Sequence, residues 1–405
     1  MTVNRQINKV VFLVSWPITE RDAKRFGFEI LQSKGFQVMV FDLSPIINSA
    51  ALRLHPVGNA LSGDNILKFH SYRDFESMVR EVAPEATFID YIIGLGEFTY
   101  KTEKVFRLLK KYNAAYYVIS GGALPLAKAN EDVRTRYMIL LKKLLNPRKV
   151  SNFLANKVIQ LLRKHADLYA IPAKIFSGDS EVLLSFLQRF QLSRDRQVPI
   201  HSLDYDTYLE YQKAPKQVPG EWGNYCVFLD EAATNHPDFA ILNIETIDEQ
   251  TYFKNINAFF DKLEGELGLE VIIAAHPRAN YENTPGVFKH RKVIKGKSVD
   301  LVANSKLVVL HASTSVSFAI LFNKPIIITK TQEMAEKGMG NFIDTLAEVL
   351  GTRALCIDDS KAMEAFSAGA ILESQNKYDD YLYKYVKSPK VEDLTVWEIV
   401  ARNMS

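Results

Sequence analysis

Along the first half of the chain, short apolar, β-branched runs alternate with longer stretches of helical period, the signature of parallel strands joined by crossover helices. Strands are predicted at Val10–Ser15, Gln37–Asp42, Ile66–Phe69, Ala86–Tyr91, Ala115–Ser120 and Asp167–Ile171, with helices at Thr19–Ser33, Tyr72–Val82 and Tyr100–Tyr112. A proline- and glycine-bearing stretch without apolar periodicity, Gln212–Gly223, then reads as a linker. Beyond it the alternation restarts: strands at Tyr225–Leu229, Glu270–Ala275, Lys306–His311 and Pro325–Thr329, and helices at Glu249–Leu267, Ser298–Asn304 and Ser315–Phe322. The pattern predicts two Rossmann-like α/β domains, 1–220 and 221–370, facing a central cleft at their carboxyl edges, where open α/β sheets bind ligands. Helices in 371–405 are expected to pack back on the first domain. The string Ile200–Leu209, with acids alternating with tyrosines, reads as a strand or turn at the domain edge.

Length supports the division, because 405 residues exceed what one hydrophobic core usually organises. A net charge of +3 gives no overall field that would favour nucleic acid, so no nucleic-acid partner is expected. Two cysteines, Cys226 and Cys356, stand far apart without the spacing of a metal knuckle or redox pair, which suits a reducing compartment. The apolar run near the N-terminus ends at Trp16-Pro17 and reads as a strand, not a leader, and no window is long enough to span a bilayer. A cytoplasmic protein is expected.

Residues 134–164 hold nine Lys or Arg and no acid among many apolar residues. Two amphipathic helices broken at Asn146-Pro147 fit that pattern, a basic hairpin over 131–165. Two readings stay open: peripheral contact with a membrane or polyanion, or an apolar stripe docked on the first domain.

The sharpest chemical signal is VIIAAHPRANY, a strand run ending at His276-Pro277-Arg278. A histidine just past a parallel strand can donate to a phosphate oxygen, Pro277 fixes the turn, and Arg278 adds forked donors. The second signal is KLVVLHASTSVSFAILFNKPIIIT, where His311, Ser313, Thr314 and Ser315 precede a helix. Capping needs one hydroxyl and this turn supplies three, so a phosphate site at the helix start is expected beside the capping role. Lys295 and Lys297 are further candidates to neutralise leaving-group charge, and Glu231 to touch the donor.

The His-Pro turn followed by a strand ending in Ser-Thr-Ser resembles the bacterial glycosyltransferases of the GT-B fold that use CMP-activated acidic sugars, including bacterial sialyltransferases and Kdo transferases of capsule and lipopolysaccharide assembly. The resemblance spans about Tyr225–Thr329. It implies a nucleotide-sugar donor, a glycan or glycolipid acceptor, and nucleotide-phosphate contacts from His276 and from Ser313 with Thr314. NKPIIIT is similar to the strand closing this site in many surface-polysaccharide enzymes. One departure stands out: the acidic D-D/E-G string of such sialyltransferases is absent, and its nearest counterpart, Asp230-Glu231-Ala232, opens the second domain.

A transferase needs a general base, normally a carboxylate or histidine near the acceptor. Asp90 at a strand end, Glu97 in the loop GLGEF and Asp230 are the candidates, with Asp42 a further one; each also suits a capping or surface role. No GxGxxG follows the first strand, so no nicotinamide cofactor is expected; the D-x-D string Asp204-Tyr205-Asp206 lies in the domain-edge segment ahead of the linker, and no bound metal is expected. The function predicted is metal-independent transfer of an acidic nonulosonic or Kdo-type sugar from a CMP donor. The alternatives are a UDP-sugar transferase, a sugar-nucleotide epimerase, or an inactive glycan-binding subunit.

Overall fold

The computed structural model describes residues 7–54, 57–122, 124–125, 147–165, 167–214, 224–234, 246–372 and 378–404. The chain divides into two units. The first runs to Gly121, resumes through Ile200 and regains the chain from Lys390; the second holds His201–Pro389 and a short piece after Gly122.

In the first unit seven parallel strands form one sheet: β1 (Lys9–Val14), β2 (Gln37–Asp42), β3 (Ile66–Lys68), β4 (Ala86–Tyr91), β5 (Tyr116–Ser120), β6 (Lys174–Ser177) and β7 (Gln197–Pro199). Their spatial order is β3-β2-β1-β4-β5-β6-β7. The central strands are buried on both faces, which is why KVVFLV and ATFIDY read as nearly continuous apolar runs. Helices α1 (Glu20–Arg25), α2 (Phe28–Ser33), α3 (Tyr72–Val82), α4 (Glu103–Lys111), α5 (Pro147–His165) and α6 (Glu181–Phe190) accompany it.

Three expectations for this half need correction. The single helix expected over Thr19–Ser33 is two, because Gly27 adopts φ 62° between them, and a Cβ there would run into the Trp397 indole. No strand forms at Asp167–Ile171. Pro172, which lacks a ladder donor, follows immediately, and pairing with β5 starts only at Lys174. Ile200–Leu209 is neither strand nor turn: Ser202 accepts from the Tyr205 N–H and caps a helix, α7 (Leu203–Lys213), with Asp204 and Asp206 in its first turn. Tyr208 and Tyr211 of α7 pack against Phe322 at 5.2 and 5.3 Å between ring centres, so this helix belongs to the second unit. The passage between units therefore falls at Ile200–His201, ahead of the expected boundary at 220. Of the basic hairpin over 131–165, the part before Pro147 lies outside the described residues.

The second unit carries six parallel strands: β8 (Tyr225–Leu229), β9 (Glu270–Ala275), β10 (Val293–Lys295), β11 (Leu307–Leu310), β12 (Ile326–Lys330) and β13 (Leu355–Cys356), ordered β10-β9-β8-β11-β12-β13. β8 is wholly buried, with β9 on one side and β11 on the other. Helices α8 (Glu249–Leu267), α9 (Ser298–Asn304) and α10 (Val316–Leu321) supply apolar residues to the core around it. The chain steps from β8 to β9 to β10 in one direction and returns to β11 on the far side, so the topological switch point lies between β8 and β11.

Lys390 to Met404 returns to the first unit, where the terminal helix Val396–Arg402 buries Trp397 against Phe12. The Trp397 Nε1–H donates to the Arg25 carbonyl at 2.7 Å.

Candidate functional site

The loops that follow β8, β9 and β11 meet at the carboxyl edge of the second sheet, and two adjacent carboxylates hold them together. Asp230, directly after β8, reaches the β9 loop: its carboxylate accepts the backbone N–H of His276 at 3.0 Å and the Tyr281 hydroxyl at 2.9 Å. It also accepts the N–H of Ala232 at 3.0 Å, a residue held at φ 50°, a left-handed conformation costly for a side-chain-bearing residue. Glu231 turns the other way. Its Oε1 accepts the N–H groups of His311 at 3.1 Å and Ala312 at 2.7 Å, and the Ser313 N–H contributes as well. Burial raises the pKa of both acids, Glu231 to about 8, against the pull of these donors.

In this arrangement Asp230, expected as a candidate base, and Glu231, expected as a donor contact, both act as acceptors for loop donors. Asp230 is 4% exposed and fully occupied with backbone and tyrosine donors, so it positions His276. Glu231 occupies the amides that a phosphate would otherwise find at this turn.

The half-buried His276 ring is set by its own loop, because its Nδ1 accepts the Arg278 N–H at 3.2 Å. An accepting Nδ1 places the proton of the neutral ring on Nε2, which becomes the donor. Pro277 carries the turn, and the Ala279 N–H closes it on the His276 carbonyl at 2.9 Å. Arg278 is exposed. Lys295, at the end of β10, donates to the Ala279 carbonyl at 2.7 Å and pairs with Glu282 at 3.1 Å, which ties the same loop from the other side. A cavity of about 290 Å³ opens beside this loop, lined by Ala275, Tyr281, Phe288, Arg291 and Lys295.

His311 is a core residue, contrary to the phosphate-site expectation. It is 1% exposed; its Nδ1 lies 2.8 Å from the Thr329 carbonyl and its Nε2 3.0 Å from the Tyr252 hydroxyl. With both nitrogens engaged among apolar neighbours, burial brings its pKa down to about 4, and the ring is neutral. The helix after it is also not the expected anion site. α10 has only six residues and starts with i→i+3 bonds, which spend the Val316, Ser317 and Phe318 N–H groups on the Ser313, Thr314 and Ser315 carbonyls. No side chain caps it. What the turn offers is hydroxyls: Ser313 Oγ accepts the Ser315 N–H at 3.3 Å, which leaves its own O–H to donate, and Thr314 is exposed. His276 follows β9 and Ser313 follows β11, the two strands that flank β8.

In the first unit, Asp90 and Glu97 occupy structural positions as well. Asp90 is 0% exposed and accepts the N–H groups of Ile92 at 2.7 Å, Ile93 at 3.2 Å and Gly94 at 3.2 Å, which fastens the loop after β4. Burial brings its pKa up to about 7. Glu97 pairs with Arg189 at 3.1 Å and accepts from Gln160. Asp42 caps its own turn through the Ser44 N–H at 2.9 Å. Tyr281, Tyr252 and Thr329, which hold the two loops, carry no local sequence signal.

The two units make a fold of the GT-B type, with Rossmann-like sheets in each half. Among solved structures it is similar to the wall teichoic acid polymerase TagF, at TM-score 0.52 and 12% identity over 98% of this chain and 89% of that one. It is also similar to the UDP-GlcNAc 2-epimerase of Methanocaldococcus jannaschii, at TM-score 0.50 and 12% identity over 98% and 99% of the two chains. S. aureus MnaA, solved with UDP, matches at TM-score 0.50 and 11% identity over 97% and 94%. No family model and no curated protein matches the sequence.

Proposed function

We propose that this chain is a nucleotide-sugar-dependent glycosyltransferase whose second unit binds the donor phosphate between His276 Nε2 on one flank of β8 and the hydroxyls of Ser313 and Thr314 on the other. The observation that carries this reading is the His276 loop, whose backbone and ring are both fixed in advance by Asp230 and by the Arg278 N–H. Preorganised donors of this kind stabilise charge developing on a leaving phosphate without reorganisation. The cavity beside the loop is of a size to receive part of a nucleoside. Similarity to structures named for a teichoic acid polymerase and for a UDP-sugar enzyme supports a nucleotide-linked donor. The resemblance of the His-Pro and Ser-Thr-Ser motifs favours CMP and an acidic sugar, with a glycan or glycolipid as acceptor.

Calorimetric titration with CMP, UDP and GDP tests the donor class. CMP is expected to bind most tightly, and His276→Ala to weaken it by about tenfold or more, the worth of one hydrogen bond to a charged group. No nucleotide binding, or unchanged binding by the variant, refutes the proposal. Likeness to a UDP-GlcNAc 2-epimerase favours a second reading, a sugar-nucleotide epimerase. Incubation with UDP-sugars in the absence of any acceptor separates the two, since only an epimerase converts them. An inactive glycan-binding subunit would release no nucleotide under either condition.

A further inference from the structure

Helix α5 is turned inside out. Its exposed face carries Leu154, Val158, Leu161 and Leu162, at helical spacing, 44–58% accessible to solvent, with Phe153 beside them at 54%. Its polar side chains do the docking instead: Asn156 accepts the Tyr100 N–H at 2.9 Å, and Gln160 donates to Glu97. Ile159, 9% exposed, is its buried apolar anchor. A helix that shows leucines to solvent and amides to its own protein has a partner for the leucines.

The charges say which partner. The sequence of α5 contains Arg148, Lys149, Lys157, Arg163 and Lys164 and no acid. A second copy brought against it would set a helix with cations and no acid against its like. An apolar row on a helix whose only charged residues are cations complements a lipid surface with anionic headgroups, where leucines enter the acyl boundary and the exposed Lys157 stays among phosphates. No helix among the described residues is long and apolar enough to cross a membrane, so the contact is with one leaflet. We propose that α5 is the element by which this protein lies on anionic membranes. The proposal stands independently of the donor chemistry.

Vesicle co-sedimentation of the full chain tests it, with phosphatidylcholine vesicles compared with mixed phosphatidylcholine–phosphatidylglycerol vesicles. Binding is expected to the mixed vesicles only and to fall with added salt. Leu154→Glu with Leu161→Glu should lower it by about a hundredfold, roughly tenfold for each buried leucine, while the melting temperature stays within a few degrees because both side chains face solvent. Lys157→Ala should cost about fivefold. Three results overturn the proposal: no sedimentation with mixed vesicles, equal sedimentation with neutral ones, or a double variant that binds as the parent does. A parent that is dimeric in solution and made monomeric by the double variant, without vesicle binding, assigns the face to self-association instead.

Discussion

The backbone N–H of His276 donates to the Asp230 carboxylate at 3.0 Å, so the residue that ends one strand sets the position of the histidine that follows its neighbour. The same carboxylate receives the Tyr281 hydroxyl and the Ala232 N–H. Replacement by alanine strands these donors in a buried place. Asp230→Ala is expected to cost about 3 kcal/mol of stability and to weaken nucleotide binding, whereas Asp230→Asn, which keeps an acceptor, should lose less of both. Denaturant titration and calorimetry on the two variants check this.

The hydroxyls of the β11 turn have unequal roles. Ser313 keeps its O–H as a donor and Thr314 is exposed, while Ser315 caps nothing. Ser313→Ala and Thr314→Ala should each weaken CMP binding by about tenfold, and Ser315→Ala should leave it within twofold. Equal losses at all three positions would return the site to a generic helix start.

His311 gives the fold a pH dependence of known sign. Its folded pKa, about 4, lies below the ordinary 6.5, so the unfolded chain takes up the proton first. The contribution is complete above pH 6.5 and is lost as pH falls toward 4, up to about 3 kcal/mol in total. Asp90 and Glu231, whose pKa values are raised, lean the opposite way and lose stability as pH rises. The diagnostic is therefore a difference. The gap in unfolding free energy between the parent and His311→Gln should narrow as pH is lowered through this window.

Gly27 is the tightest joint in the first unit. Its φ of 62° costs a residue with Cβ about 1 kcal/mol, and that Cβ would enter the Trp397 indole, an overpacking term of about 1–3 kcal/mol. Gly27→Ala is expected to lower stability by about 3 kcal/mol, with Trp397 fluorescence reporting displacement of the ring.

Much of this architecture is legible in the chain itself. Strands such as Gln37–Asp42, Ala86–Tyr91, Tyr225–Leu229 and Glu270–Ala275 fall where the apolar runs place them, because a parallel strand buried on both faces leaves an unambiguous mark. β7 and β10 leave too little pattern to read, while the equally short β3 is legible because Phe69 extends its apolar run. Alternation of acids with tyrosines in Ile200–Leu209 imitates a strand, yet the Ser202 cap decides for helix. His276 and His311 have the same local signature, each just past a strand. What separates them is Tyr252, 59 positions from His311, and Asp230, 46 positions before His276. Partners that distant leave no trace near either histidine. Asp230 is legible as a strand-end carboxylate but not as the clamp it is, since the His276 N–H and the Tyr281 hydroxyl it accepts lie in the loop after the neighbouring strand.

The terminal helix has a consequence for biosynthesis. Trp397 bonds to Arg25 across 372 residues, and the second unit is made in between. At roughly 5–20 residues per second, the pocket around Phe12 and Gly27 waits about 20–70 s on the ribosome for the side chain that fills it. During that interval the nascent first unit lacks the ring that fills its aromatic notch, and the notch closes only once Trp397 is made.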